Sequence, residues 1–192
     1  MFFVFIDILN HVKSLNKGIA FLLENVKMKE DSLNKITSYI GVEGFFIDSK
    51  SCPPCARPRW YWSNRSIEFV YDNDISFIDC CDINSEENVM SDGWHLWWEN
   101  NKEFQLKKSY SAINKQGDKG ITMTTRQYAS WNGNFIETPS GKIRKPTKIE
   151  LARLAGAKDN YFDAVSQRKT EEMTGNGWDL RTVTHIFKCM FE

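Results

Sequence analysis

Apolar residues recur at three- and four-residue spacings over residues 2–15. Phe2, Phe5, Ile6, Leu9 and Val12 fall on one side there and predict an amphipathic helix. Ile19 to Val26 reads instead as a buried strand closing on Glu24 and Asn25. Residues 30–40 predict a short polar helix with Leu33, Ile36 and Ile40 inward. Gly41 and Gly44 break it before a second strand at Phe45-Phe46-Ile47. Pro53 and Pro54 enforce an extended stretch, and a third strand follows through Trp60-Tyr61-Trp62. This order predicts part of an α/β sheet. An inner strand such as 19–26 would expose a long unpaired edge, so local rearrangement or another polypeptide is expected to cover it.

Beyond residue 64 the pattern changes. From 65 to 143 short apolar groups alternate with Asn, Asp, Gly and Ser, which predicts an irregular lobe with little regular structure. Order returns at Thr147, which with Glu150 forms a capping-box signature ahead of the inward-facing Leu151 and Leu154. Asp179 precedes a last helix with Val183, Ile186 and Phe187 on one side. The chain is therefore divided into 1–64, 65–143 and 144–192. No repeat or low-complexity segment interrupts it.

Composition narrows the class. At 192 residues the chain fits one domain, or one domain with a smaller lobe. Seven Trp and thirteen Phe require deep burial or a partner surface. No stretch approaches the roughly 20 apolar residues of a membrane span. The amino terminus lacks a basic region and a small-residue cleavage site, so no signal peptide is expected. Five Cys without framework spacing suit a reduced, cytoplasmic setting. The 25 basic and 25 acidic residues balance, which argues against indiscriminate polyanion binding. They are unevenly placed, however. Residues 65–100 hold one basic and nine acidic side chains (net −8), and residues 101–148 hold ten basic and three acidic (net +7). A basic stripe of this kind suits nucleic-acid contact through one face, and a merely clustered surface is the plain alternative.

Candidate chemistry gathers at a few places. Glu24 lies where a strand ends, at the rim where α/β sheets place ligands, and could grip a base or move a proton. Its plain alternative is a cap for the turn before Lys27. Arg57 and Arg59, two apart, point the same way on a straight strand and could orient a carboxylate or base carbonyl, unless they are solvated edge residues. Gly175-Asn-Gly-Trp178 precedes the last helix, where free amides can accept a carboxylate, although such a run is also an ordinary turn. Cys52-Pro-Pro-Cys55 is disfavoured as a redox pair by its prolines and the following strand. As a zinc site it would need Cys80, Cys81 or His95 at irregular spacing, and inert thiols are the expectation. From Lys107-Lys108 through Lys148, basic residues interleave with Tyr110, Tyr128 and Trp131 and could track a phosphate backbone. Thr122, Thr124, Thr125 and Arg126 add short donors to that segment, whose plain alternative is a polar lobe surface. There is no glycine-rich nucleotide loop and no evident nucleophile.

In order, these pieces resemble the second half of a DNA cytosine-5 methyltransferase, of the bacterial and phage branch related to the animal de novo enzymes. Phe21-Leu-Leu-Glu-Asn-Val26 is similar to the family's Glu-Asn-Val motif, and Ala56-Arg-Pro-Arg-Trp-Tyr-Trp-Ser-Asn64 to its Arg-x-Arg strand with the aromatic-Trp-x-Asn ending. Arg144-Lys-Pro-Thr-Lys-Ile-Glu-Leu-Ala-Arg-Leu154 resembles the helix under the target-recognition lobe. Thr174-Gly-Asn-Gly-Trp-Asp179, with Val183 and His185-Ile-Phe187, resembles the last motif, which returns to the cofactor site. The resemblance implies an α/β fold: a partial Rossmann-like methyltransferase sheet with an irregular target-recognition lobe.

By that resemblance Glu24 would hold a flipped cytosine and assist protonation at N3, Arg59 would contact the base, and Arg57 would support it. Asn176, Gly177 and Trp178 would sit near the methionine end of S-adenosyl-L-methionine. Lys107, Lys108, Arg126, Lys142 and Arg144 would contact DNA, and no metal is implied. The sequence departs from the family pattern in lacking the Phe-x-Gly cofactor loop and the Pro-Cys motif whose thiolate attacks C6. The resemblance would place both ahead of residue 1. Cys55 stands where many relatives carry glutamine, and the acidic block is expected to face away from DNA or contact a protein.

Three readings follow. The chain is a subunit of a split methyltransferase whose complementary subunit carries the catalytic Cys and main S-adenosylmethionine site, with little cofactor binding alone. Or it is an inactive, regulatory homologue that binds DNA or a methyltransferase, through the Phe2-Phe3-Phe5 helix in the latter case. Or it is a stable remnant without a role. A homodimer through the same helix is a further expectation.

Overall fold

A computed structural model describes residues 2–47, 54–68, 74–128 and 132–192. The chain forms two compact units. One comprises Met1–Asp48, Pro58–Val70 and Ile186–Glu192, and the other Ser49–Arg57 and Tyr71–His185. Helices over 144–185, expected to return to the catalytic sheet, fall in the second unit, and only the end of the last helix joins the first.

The first unit is built on β1 (Leu22–Val26), β2 (Phe45–Ile47) and β3 (Arg59–Ser63), ordered β1-β3-β2 with β3 antiparallel to both neighbours. Side chains alternate between faces along a strand. The register Leu23↔Trp62 and Asn25↔Trp60 therefore sets these residues on one face, with Glu24, Arg59, Tyr61 and Ile47 on the other. The first face is covered by α1 (Phe2–Leu15) and α2 (Glu30–Ile40), whose Ile6, Leu9, Ile36 and Ile40 pack around Trp62. Trp62 is wholly buried, and its Nε1 donates to Thr37 Oγ1 at 3.0 Å. Gly44 lies against that indole, where a Cβ would come within 2.7 Å of Nε1. The opposite face receives Ile186 and Met190 from α6 (Leu180–Phe191). Phe187, expected inward, is instead exposed.

The ladder of β1 begins at Leu22, not at Ile19 as the apolar run predicts. Residues 19–21 are held by a side chain. Phe21 N–H donates to Asn64 Oδ1 at 3.1 Å, and Asn64 Nδ2 donates to the Ile19 carbonyl at 2.9 Å.

In the second unit the expected irregular lobe contains a 16-residue helix, α3 (Asp92–Lys107), capped by Ser91, whose hydroxyl accepts from Trp94 N–H. Trp94 stacks on Trp98 at 5.4 Å and packs against Phe135 of β5 (Gly133–Glu137). β5 runs parallel to β4 (Ser111–Asn114) and antiparallel to β6 (Ile143–Arg144). His95 ties α3 to β6: its Nε2 accepts from Ile143 N–H at 2.9 Å, and its Nδ1 meets the Ser91 carbonyl at 3.0 Å. One bond needs a bare nitrogen and the other an N–H, so the neutral Nδ1–H tautomer is required. The unit closes with α4 (Lys148–Leu154), α5 (Gln167–Asn176) and the first turns of α6. Among the described residues no helix is long and apolar enough to cross a membrane.

Arg144, expected on DNA, does not reach the surface. It is wholly buried, with both terminal nitrogens 2.8 Å from the Glu150 carboxylate. One of them also donates to the Asp82 carbonyl at 2.6 Å. Glu150 further accepts the N–H of Thr147 and of Asp82, each at 2.7 Å, and completes the predicted capping box. Most of the hydrogen-bonding capacity of this buried ion pair is met in this way, and only Arg144 Nε is left without a partner.

Burial alone would raise the Glu150 carboxyl, but the bonds from Arg144 and Thr147 outweigh it and hold the group below its ordinary 4.5. Its stabilisation is therefore full above that value and is lost as pH falls through the lowered one. Urea titrations across this acid range should show that loss, and Glu150→Gln should abolish Glu150's share of it. At neutral pH the same substitution leaves Arg144 uncompensated and should cost about 3–5 kcal/mol.

Candidate functional site

Glu24 faces Tyr61 across the β1–β3 ladder, and Arg59 faces Val26, which makes Glu24 and Arg59 diagonal neighbours on one sheet face. Arg59 Nε lies 2.6 Å from Glu24 Oε1, with the side chains only 12% and 17% exposed. Arg59 Nη1 also donates to the Pro58 carbonyl at 2.9 Å. These bonds use two of the five N–H groups of the guanidinium. A carboxylate and a guanidinium thus stand side by side, offering an acceptor and donors in one patch. Glu24 is engaged across the sheet, where the plain reading had it capping a local turn.

Arg57 does not share that strand. β3 starts at Arg59, after Pro58, and Arg57 belongs to the second unit, where it lines a cavity of about 10 Å³ with Cys55, Thr174, Trp178 and Asp179. The expectation of two arginines projecting from one straight strand is corrected accordingly.

The Gly175-Asn-Gly-Trp178 run precedes the last helix, as expected, and also closes the helix before it. Gly175 and Asn176 end α5, and Asp179 stands just before α6, its Oδ2 accepting Thr182 N–H at 2.8 Å and the Thr182 hydroxyl at 2.7 Å. Gly175 is required by close approach, since a Cβ there would lie 2.1 Å from the carbonyl carbon of Thr124. Asn176 and Trp178 are exposed. Gly177 and Trp178 line an apolar cleft of about 200 Å³ with Tyr161, Phe162, Met173 and Leu180.

Lys107, Lys108, Arg126 and Lys142 are all exposed. Arg126 is carried on a tightly held segment. The neighbouring Gln127 is buried, and its Nε2 donates to the Glu171 carbonyl at 2.6 Å and Thr174 Oγ1 at 3.0 Å. Tyr128 adopts φ 63° and donates its hydroxyl to the Asn134 carbonyl at 2.7 Å. Trp131 lies outside the described residues. Nothing in the sequence pattern marks Gln127 as an anchor, because its partners lie more than forty residues away.

Cys55, Cys80 and Cys81 pack in one core with Phe77 and Leu151. Burial pushes all three thiols up, so they stay protonated and unreactive. Cys52 lies outside the described residues, and His95, weighed as a zinc ligand, has both ring nitrogens engaged by backbone.

The architecture is similar to that of solved methyltransferases. The Entamoeba histolytica methyltransferase EhMeth aligns over 90% of this chain and 62% of its own, at 15% identity and a TM-score of 0.65. The S. pombe Dnmt2 methyltransferase aligns over 98% and 70%, at 15% identity and a TM-score of 0.71. A variant of Spodoptera frugiperda DNMT2 aligns over 98% and 71%, at 15% identity and a TM-score of 0.69. The chain thus spans between three-fifths and three-quarters of these proteins. No protein-family model and no curated protein matches it. At such identity the likeness concerns the fold: an α/β, Rossmann-like methyltransferase fold with an additional lobe.

The packing of Gly175 is directly testable. Gly175→Ala should destabilise the chain by about 1–3 kcal/mol in urea unfolding, because the obstructing atoms are backbone and cannot rotate away. Asn176→Ala, one residue along and exposed, should stay within about 0.5 kcal/mol.

Proposed function

We propose that this chain supplies the base-binding wall and target-recognition elements of a DNA cytosine-5 methyltransferase. A companion polypeptide would carry the attacking thiolate and the main cofactor site. The observation that carries the reading is the half-buried Glu24–Arg59 pair on a methyltransferase-type sheet. The edge of cytosine presents an amino group, a ring nitrogen and a carbonyl in a row. In this reading Glu24 accepts from the amino group and from N3 once protonated, and Arg59 donates to the carbonyl. The contact between them holds both groups oriented before the base arrives, so little reorganisation accompanies binding. Reaching them requires the base to leave the duplex. Exposed Lys107, Lys108, Arg126 and Lys142 serve as phosphate contacts that set register on the DNA, without reading sequence.

S-adenosyl-L-methionine would supply the methyl group. The cleft at Gly177 and Trp178 does not by itself make its site. At about 200 Å³ it is smaller than the ~300–1,000 Å³ of ordinary ligand pockets, and its lining includes neither a carboxylate for ribose hydroxyls nor a cation for the methionine carboxylate. One wall of a shared site is the most these residues provide, which agrees with a companion holding the rest.

The test mixes this chain with the product of an adjoining reading frame that carries a Pro-Cys motif, and measures transfer of labelled methyl groups to cytosine in DNA. Activity is expected only in the mixture. Glu24→Gln, which keeps shape but replaces an acceptor with a donor, should lower kcat by about 100-fold or more. A mixture no more active than either component refutes the reading. Tight binding to DNA or to a complete methyltransferase, with no transfer in any pairing, would instead identify an inactive, regulatory homologue.

A further inference from the structure

The helix α1 is apolar on more sides than the first unit covers. Phe2, Ile6 and Leu9 turn onto the sheet with Phe5 and Val12 beside them. A second stripe runs through Val4, Ile8, His11 and Leu15, spaced four, three and four residues apart, roughly two-fifths of a turn from the line of Phe2, Ile6 and Leu9. Val4 and Ile8 are 59% exposed and Leu15 is 75% exposed. Helices apolar around most of their circumference belong in interiors, because one buried stripe suffices for a surface helix.

The sheet beneath shows the same incompleteness. β1 pairs only with β3, and among the described residues no strand lies on its other edge. Its sequence Leu-Leu-Glu-Asn-Val carries neither Lys nor Pro, the usual protections of an exposed edge, and every residue of it remains partly accessible. α1 packs on the sheet and leads directly into β1, as the helix of a strand–helix–strand unit does. In such units the preceding strand lies parallel to the following one, and the connecting helix covers both. The position for that preceding strand is the free edge of β1, and the second α1 stripe is where the next helix would pack. The solved relatives agree in extent, since 29–38% of their length has no counterpart here.

We infer that the Val4–Ile8–Leu15 stripe and the free β1 edge form one docking surface. Its occupant is an α/β segment of the companion, placing a strand parallel to β1 and an apolar helix against α1. The inference rests on the proposed function, whose companion it docks. Backbone pairing along β1 would fix the register, and the apolar stripe would supply most of the affinity.

Sedimentation velocity and amide hydrogen exchange on the full chain, mixed with the Pro-Cys-carrying companion, test this. A one-to-one complex is expected, with new protection across Leu22–Val26 and α1. Ile8→Glu should weaken it by about 30-fold or more, the scale of an interface hot spot, while Ile8→Leu leaves it intact. Ile8 is exposed, so Ile8→Glu should retain the wild-type thermal melt by circular dichroism. A complex indifferent to Ile8→Glu, protection elsewhere, a symmetric dimer of this chain on the same surface, or no complex at all would each overturn the inference. Docking through α1 without methyl transfer upholds the surface and removes the proposed function. Methyl transfer that survives Ile8→Glu does the reverse.

Discussion

The arrangement of the first unit depends on the register of β3 against its neighbours. β3 is the central strand, so both its faces must be covered, and its alternation assigns each residue to a layer. Trp60 and Trp62 go to the α1–α2 side, and Arg59 and Tyr61 go to the other. A slip by one residue would drive the Arg59 guanidinium among Ile6, Leu9 and Ile36 and turn Trp62 out of its pocket. The Thr37 bond to the indole, the absence of a side chain at Gly44 and the Asn64 bracket on residues 19–21 all favour one register. The Glu24–Arg59 pair then follows without further specification. A polar patch is held in place by apolar packing on the reverse of the same strand.

Much of the fold was legible in the chain, and the reasons are physical. The apolar residues of α1, the Gly41 stop, the three strands and the Thr147–Glu150 box are all local signals, each contained within a turn or two of chain. Signals spread across the sequence were not legible. The spacing of Arg57 and Arg59 suggested one strand, but Pro58 precedes the ladder and only Arg59 enters it. Arg144 looked like a surface cation because its partner Glu150 reads equally well as a helix cap. Glu150 serves both roles through its two oxygens. The helix α3 was hidden because Leu96, Phe104 and Leu106 lie on its exposed side and blur the inward spacing of Trp94, Trp98 and Gln105.

The second unit handles its buried charges by a different rule from the first. Glu150 has four hydrogen-bond donors, and Glu171 is met by Lys145 at 2.6 Å and Arg168 at 3.4 Å. Both carboxylates sit where segments distant in sequence converge, so each fixes loops that have little apolar surface of their own. Glu150 joins α4 and β6 to the loop at Asp82. The Glu171 carboxylate joins α5 to Lys145, while its backbone carbonyl and the Arg168 side chain hold Gln127 and so the Arg126 segment. Such hubs add little net stability, because desolvation offsets most of the attraction, but they disfavour alternative loop placements. A lobe rich in Asn, Asp and Gly can thereby present exposed basic residues in fixed positions.

The Glu24–Arg59 pair shows the opposite balance. It has fewer bonds than the Glu150 hub and stays partly accessible, and the guanidinium retains N–H groups beyond those used by Glu24 and Pro58. The Arg144–Glu150 pair, by contrast, is buried from solvent, with every Glu150 oxygen bonded and only Arg144 Nε left without a partner. Incomplete satisfaction at a half-buried site keeps donor and acceptor capacity available at low reorganisation cost, which is what recognition of a planar, hydrogen-bonding ring requires. The two ion pairs of the chain therefore differ in exposure: the Arg144–Glu150 pair is shut off from solvent, and the Glu24–Arg59 pair stays partly open to it.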